Sequence, residues 1–138
     1  MYNLSETSGR IGLLLSTEAV ISCFCYHNNN PIHNGIILRD HYGSEDAAWN
    51  LIHPGDIRQL NAIVGWDEEP LDVAGPLYFR DRGDRDATHI FSLNKSEYFE
   101  LSKETSSIYS FLFNSKKMVW ECYSIAENYG NEVKISEP

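Results

Sequence analysis

Hydrophobic positions in this chain fall into runs and alternations whose period changes along its length. From Ile11 to Tyr26 they are nearly continuous, and Ala19-Val20-Ile21-Ser22-Cys23-Phe24-Cys25-Tyr26 is dense in β-branched and aromatic residues. That density predicts two strands, or one bent strand, buried on both faces. The run stops at His27-Asn28-Asn29-Asn30-Pro31, where Asn side chains that bond to nearby backbone, followed by Pro, predict a loop. Ile36, Ile37 and Leu38 give a helix over Ile32–His41 its apolar side, with Gly43 just past its end. Ser44 then reads as an N-cap, with Glu45 and Asp46 in the first turn of a second helix. Ala47, Ala48, Leu51 and Ile52 form its buried stripe, and Pro54-Gly55 closes it.

Periodicity is lost in the middle of the chain and returns near its end. The stretch Gly55–Leu60 reads as a compact turn, and residues 61–86 as irregular, with Trp66, Pro70 and Pro76 as landmarks. Leu77-Tyr78-Phe79 predicts a short strand before the charged turn Arg80-Asp81-Arg82-Gly83-Asp84-Arg85-Asp86. A helix is predicted over Lys95–Lys103. Ile108–Phe113 and Met118–Tyr123, joined by Asn114-Ser115-Lys116-Lys117, alternate large aromatics with polar residues as a hairpin does. Beyond Ala126 the chain is polar, which predicts a frayed tail. The fold class that follows is α+β: a small antiparallel sheet, a helix pair after the first strands, and a C-terminal β-hairpin. Residues 1–138 read as a single domain.

Composition narrows the function. The 138 residues are 42% hydrophobic and 12% aromatic, enough for a genuine core. Twenty acidic against eleven basic side chains give a net charge of −9. Direct nucleic-acid binding is therefore disfavoured, because it rests on neutralising phosphates with Lys and Arg. Acidity suits a basic partner protein instead. The carboxylates are scattered among Asn, Ser and Lys, unlike the ordered rows of a nucleic-acid mimic. Ser16, Thr17, Glu18 and Ser22 interrupt the longest apolar stretch, so no membrane span is expected. Met1–Arg10 lacks the order of a secretory signal. The three cysteines, an odd count, read as reduced thiols in a cytoplasm.

Catalytic and metal-binding patterns find little support. Cys23 and Cys25, two apart on a strand, share a face but lack the spacing and the second knuckle of a structural zinc site. His33 and His41 stand too far apart along a helix to chelate one ion. No Gly-x-Ser-x-Gly elbow, P-loop or Gly-x-Gly-x-x-Gly fingerprint occurs. No metal, no cofactor and no catalytic residue is expected. Arg80, Arg82 and Arg85 are the one concentrated cationic feature. They fit either a fork for phosphate or carboxylate groups, or a solvated loop neutralised by Asp81, Asp84 and Asp86. Asn28 and Asn29 fit an ordinary turn or a polar recognition surface.

Two stretches resemble a group of small phage and prophage proteins of mostly unassigned function. Its pattern is C-H-W-D-G-Y-P, then Gly, Leu and His-Tyr, then Leu-Ile and Gly-Asp before a closing Leu. Cys25, Pro31, Gly35, His41-Tyr42, Leu51-Ile52, Gly55-Asp56 and Leu60 match it without a gap. Arg80-Asp81-Arg82-Gly83 resembles the group's R-D-R-G turn, and Tyr109, Leu112-Phe113 and Trp120 its closing hairpin. The chain departs at His27-Asn28-Asn29-Asn30, where the group has W-D-G-Y. The resemblance implies a phage context and carries no catalytic residue across.

The expectation is therefore a non-enzymatic phage-type accessory protein of the bacterial cytoplasm. It would bind and block a defence or host factor, such as a nuclease with a basic surface, as anti-CRISPR proteins do. Exposed aromatics and arginines would be its hot spots, with Tyr42, Trp49, Trp66 and Arg82 as candidates. Two alternatives stand beside it. One is a sponge for a small nucleotide signal, held by Arg80, Arg82 and Arg85 with Tyr78 stacking on the base. The other is an immunity protein against a toxin nuclease. Self-association stays open.

Overall fold

The computed structural model describes residues 7–60, 76–83, 88–125 and 131–135, with the side chains of Asp81 and Arg82 outside that set. Its centre is β1, Gly9–Leu14, buried at every position. An antiparallel hairpin joins it to β2, Val20–Cys25, in the register Gly9↔Cys25 to Leu14↔Val20. The hairpin's turn closes through Leu15 N–H to the Ala19 carbonyl, with Glu18 in the left-handed region at φ 76°. The 11–26 run is thus two strands.

Helices α1 (Asn34–His41) and α2 (Glu45–Ile52) follow, then β3 (Ile57–Gln59) and β4 (Leu77–Tyr78). A single 3-10 turn, Phe79–Arg82, ends at Gly83 in the left-handed conformation (φ 90°). β5 (Ile90–Ser92), α3 (Lys95–Glu104) and the hairpin β6 (Tyr109–Asn114) and β7 (Val119–Ser124) come next, and β8 (Asn131–Val133) is the last described strand. The sheet runs β4-β3-β2-β1-β6-β7-β8, with β5 paired to β2 off that path. The fold is α+β, and its sheet is mostly antiparallel. Two seams are parallel: β1 with β6, and β2 with β3. No helix among the described residues is long and apolar enough to cross a membrane.

Alternation along the central strands builds two cores. Ile11, Leu13, Cys23, Cys25, Phe111 and Phe113 turn to one face, where Leu38 of α1 and Ala48, Leu51 and Ile52 of α2 cover them. Leu14, Val20 and Leu112 turn to the other face, against Tyr98 of α3. Gly12 makes that second contact possible, since a Cβ there would lie 3.0 Å from the Tyr98 ring. The Tyr98 hydroxyl then donates to the Phe111 carbonyl at 2.6 Å, fixing α3 to the sheet.

Local chemistry explains the helix boundaries. Ser44 Oγ accepts the Ala47 N–H (3.1 Å), and Asn94 Oδ1 accepts the Glu97 N–H (2.9 Å), as N-caps do. The first helix starts at Asn34, two residues later than Ile32. Asn30 Oδ1 accepts the Ile32 and His33 N–H groups, a local turn that competes with helix. Gly43 follows the helix but does not take up the left-handed form, because the chain passes directly into the extended Ser44 cap.

Three strands depart from the sequence reading. Ile57–Gln59 lies in the expected Gly55–Leu60 turn, Ile90–Ser92 where the sequence predicts no element, and Asn131–Val133 in the expected frayed tail. Each is three residues long, too short to show a period of its own. Each is held by pairing with a neighbour: β3 and β5 with β2, β8 with β7.

Candidate functional site

Three of the seven exposed large hydrophobics among the described residues, Trp49, Phe91 and Leu93, lie on α2 and at β5. Trp49, on the outer side of α2, is 39% exposed and stacks on His53 one turn later, with ring centroids 5.3 Å apart. His89, just before β5, meets the same indole edge-on at 6.0 Å, and its Nδ1 lies 2.9 Å from the His53 carbonyl oxygen. Phe91 follows His89 by two residues, so strand alternation carries it to the same side. Its register partner Ile21 packs against the α1–α2 core, which fixes that side. Phe91 is 58% exposed and the adjoining Leu93 64%. Among the described strands, β5 pairs with β2 alone, so its outer backbone edge has no strand partner there. Glu45 and Asp46, in the first turn of α2, place negative charge on the helix that carries Trp49.

The structure sorts the expected site residues. Trp49 belongs to this patch. Tyr42 does not: it is 4% exposed, its hydroxyl has no partner, and burial pushes its pKa up to about 12. It is a core residue, because the end of α1 turns it toward Trp120, whose indole N–H donates to the Tyr42 carbonyl at 2.8 Å. Asn29 is fully buried, which removes it from any recognition surface. Its amide donates to the Tyr109 carbonyl (3.2 Å) and its Oδ1 accepts from Asn34 Nδ2 (3.0 Å), pinning the loop to β6. Asn28 is half-buried in the left-handed region (φ 58°), a turn position that Asn tolerates. Tyr78 is half-buried, and its hydroxyl donates to the Leu51 carbonyl at 2.6 Å. Arg80 is exposed on the 3-10 turn. Trp66, Arg85 and the Arg82 side chain lie outside the described residues.

Sequence reasoning missed His53, His89, Phe91 and Leu93. The available signal was His89-Ile90-Phe91-Ser92-Leu93, a short apolar-rich run between a charged turn and the Asn94 helix cap.

The thiols are placed for packing. Cys23, Cys25 and Cys122 are free and buried. Burial pushes the Cys25 thiol up to about 11, even though Asn34 Nδ2 approaches its sulfur at 3.3 Å. Cys23 and Cys122 are raised by burial as well. Among the described residues no three His, Cys, Asp or Glu side chains cluster as metal ligands do. At pH 8 the Cys25 thiol, raised by burial, stays protonated. The native protein is therefore expected to release almost no thionitrobenzoate from Ellman's reagent within minutes, and three equivalents after denaturation. One fast equivalent from the native protein would show an accessible, activated thiol.

No protein-family model, curated protein or solved structure matches this chain.

Proposed function

We propose that this protein is a non-catalytic, phage-type accessory protein that binds a bacterial defence or host factor stoichiometrically. One observation carries the reading: Trp49 and Phe91 are both exposed on the α2 side of the sheet, with Leu93 two residues after Phe91, at a strand edge that can accept another strand. Exposed aromatics grouped in this way mark interaction sites and supply hot-spot energy. The free edge of β5 adds main-chain hydrogen bonding by strand addition. A net charge of −9 steers the protein toward a basic partner and makes its association rate fall with added salt. Buried free thiols suit a reducing bacterial cytoplasm.

Capture from phage-infected cells, with wild type compared to Trp49→Ala and Phe91→Glu, tests the reading. The wild type is expected to retain one basic host protein in equimolar amount. Each variant is expected to weaken that complex about tenfold or more, as loss of a hot spot does. Phe91→Glu is expected to melt within about 3 °C of wild type, because Phe91 is a surface group, and Trp49→Ala somewhat lower, having lost its contacts with His53 and His89. Undiminished capture by Phe91→Glu would move the interface elsewhere. A protein that retains no macromolecule in any host would overturn the reading.

A further inference from the structure

On the opposite face of the sheet the chain buries an arginine at the wall of a cavity. Arg10 sits on β1 opposite Phe24, is 2% exposed, and turns to the α3 side. Tyr98 covers that face at Gly12, and beyond the end of α3 the face opens into a cavity of about 490 Å³. Arg10, Phe24, Tyr26, Asp56, Ile90 and Thr105 line it.

The guanidinium is only partly satisfied. Its Nε–H donates to Ser22 Oγ at 2.9 Å and its Nη2 to the Ser22 carbonyl at 3.4 Å. Those two contacts use one edge of a group that carries five N–H donors. The remaining edge, Nη1 with the second Nη2 proton, has no acceptor among the described residues; Asp56, on the same cavity wall, is a carboxylate whose charge reaches Arg10, but it lies beyond ion-pair distance. A buried cation normally has a partner, because desolvation without one is costly. An apolar side chain would fill a purely structural position at lower cost.

We infer that this cavity binds a small monocarboxylate with a flat apolar body, its carboxylate seated on the free edge of Arg10. A guanidinium edge and a carboxylate match as a bidentate pair. Phe24 and Tyr26, packed edge-to-face at 4.7 Å, supply with Ile90 the apolar wall. Asp56 sets the charge of the ligand. Its Oδ1 accepts the Phe24 N–H at 2.8 Å, and its carboxylate on the same wall repels a phosphate dianion more than a single carboxylate. This site faces away from Trp49 and Phe91 and does not depend on the docking patch.

Benzoate, benzamide and phenyl phosphate are the probes, titrated into the full chain by NMR and calorimetry. Benzoate is expected to bind, with uncharged benzamide and dianionic phenyl phosphate each about tenfold weaker or more. Asp56→Asn keeps the acceptor for the Phe24 N–H and is expected to recover phenyl phosphate binding. Arg10→Met is expected to abolish benzoate binding. Should that variant fail to fold, Tyr26→Ala tests the wall at a residue 43% exposed, with a several-fold loss expected. A preparation that takes up no benzoate is expected to release an apolar carboxylate on denaturation, seen by mass spectrometry. Equal binding of benzoate and benzamide, or neither uptake nor release, would overturn the inference.

Discussion

Gly9→Ala is expected to destabilise the fold by about 3 kcal/mol or more, the upper end for overpacking a filled interior. Gly9 opens β1, two residues before its parallel pairing with β6 begins at Ile11↔Phe111. A Cβ at this position would fall inside the van der Waals shell of the Tyr109 carbonyl oxygen and 3.0 Å from Asn29 Nδ2. Neither neighbour can retreat. Tyr109 is paired to Ser124 of β7, and the Asn29 amide holds the same carbonyl from the loop side. Asn29 is held in turn by Asn34, whose amide also reaches the Cys25 sulfur. One methyl group must therefore part β1 from β6 or expel the asparagine network from the interior. A fall in melting temperature of roughly 10 °C should accompany the loss. Urea denaturation followed by circular dichroism measures both states directly. A variant within about 1 kcal/mol of wild type would show that this seam yields, contrary to the packing around Tyr109.

The same network shows why some of the structure was legible in the sequence and some was not. Long periodic segments declared themselves: the 11–26 run, the Ser44-capped helix and the 108–123 hairpin each carry enough residues to fix their own type. Parallel seams did not, since β1 and β6 are about a hundred residues apart and nothing local encodes their meeting. Asn28-Asn29-Asn30 illustrates the limit. Composition marks a loop, and a loop it is, but composition does not reveal that Asn29 and Asn30 point inward. Tertiary contacts with Thr7 and Tyr109 decide that. The docking patch was half visible. Trp49 stood out as a large aromatic off the Ala47-Ala48-Leu51-Ile52 stripe of its helix, while Phe91 gains its setting only through the three-residue pairing of β5 with β2. Arg10 carried no signal at all. A single arginine before an apolar run says nothing of the face it takes until the register places it opposite Phe24, on the α3 side.

Trp120→Ala is expected to cost about 3–5 kcal/mol, the range for emptying a buried indole site. Trp120 ties the C-terminal hairpin to the end of α1. Its ring packs edge-to-face on Phe113 at 5.3 Å, and its N–H donates to the Tyr42 carbonyl at 2.8 Å. That carbonyl stands at the helix end, where carbonyls lack intrahelical partners. Removing the indole therefore opens a cavity in the first core and releases the cap. Trp120→Phe separates the two effects. It restores an aromatic ring while leaving the buried carbonyl without its donor, for an expected loss of about 1–3 kcal/mol. Tyr42→Phe is the counterpart. The Tyr42 hydroxyl is buried with no partner, so removing it is expected to leave stability within about 0.5 kcal/mol of wild type or above it. Chemical denaturation followed by far-ultraviolet circular dichroism compares the three without relying on tryptophan emission. A loss at Tyr42→Phe as large as at Trp120→Phe would mean that the hydroxyl, and not the backbone carbonyl, holds the helix end to the hairpin.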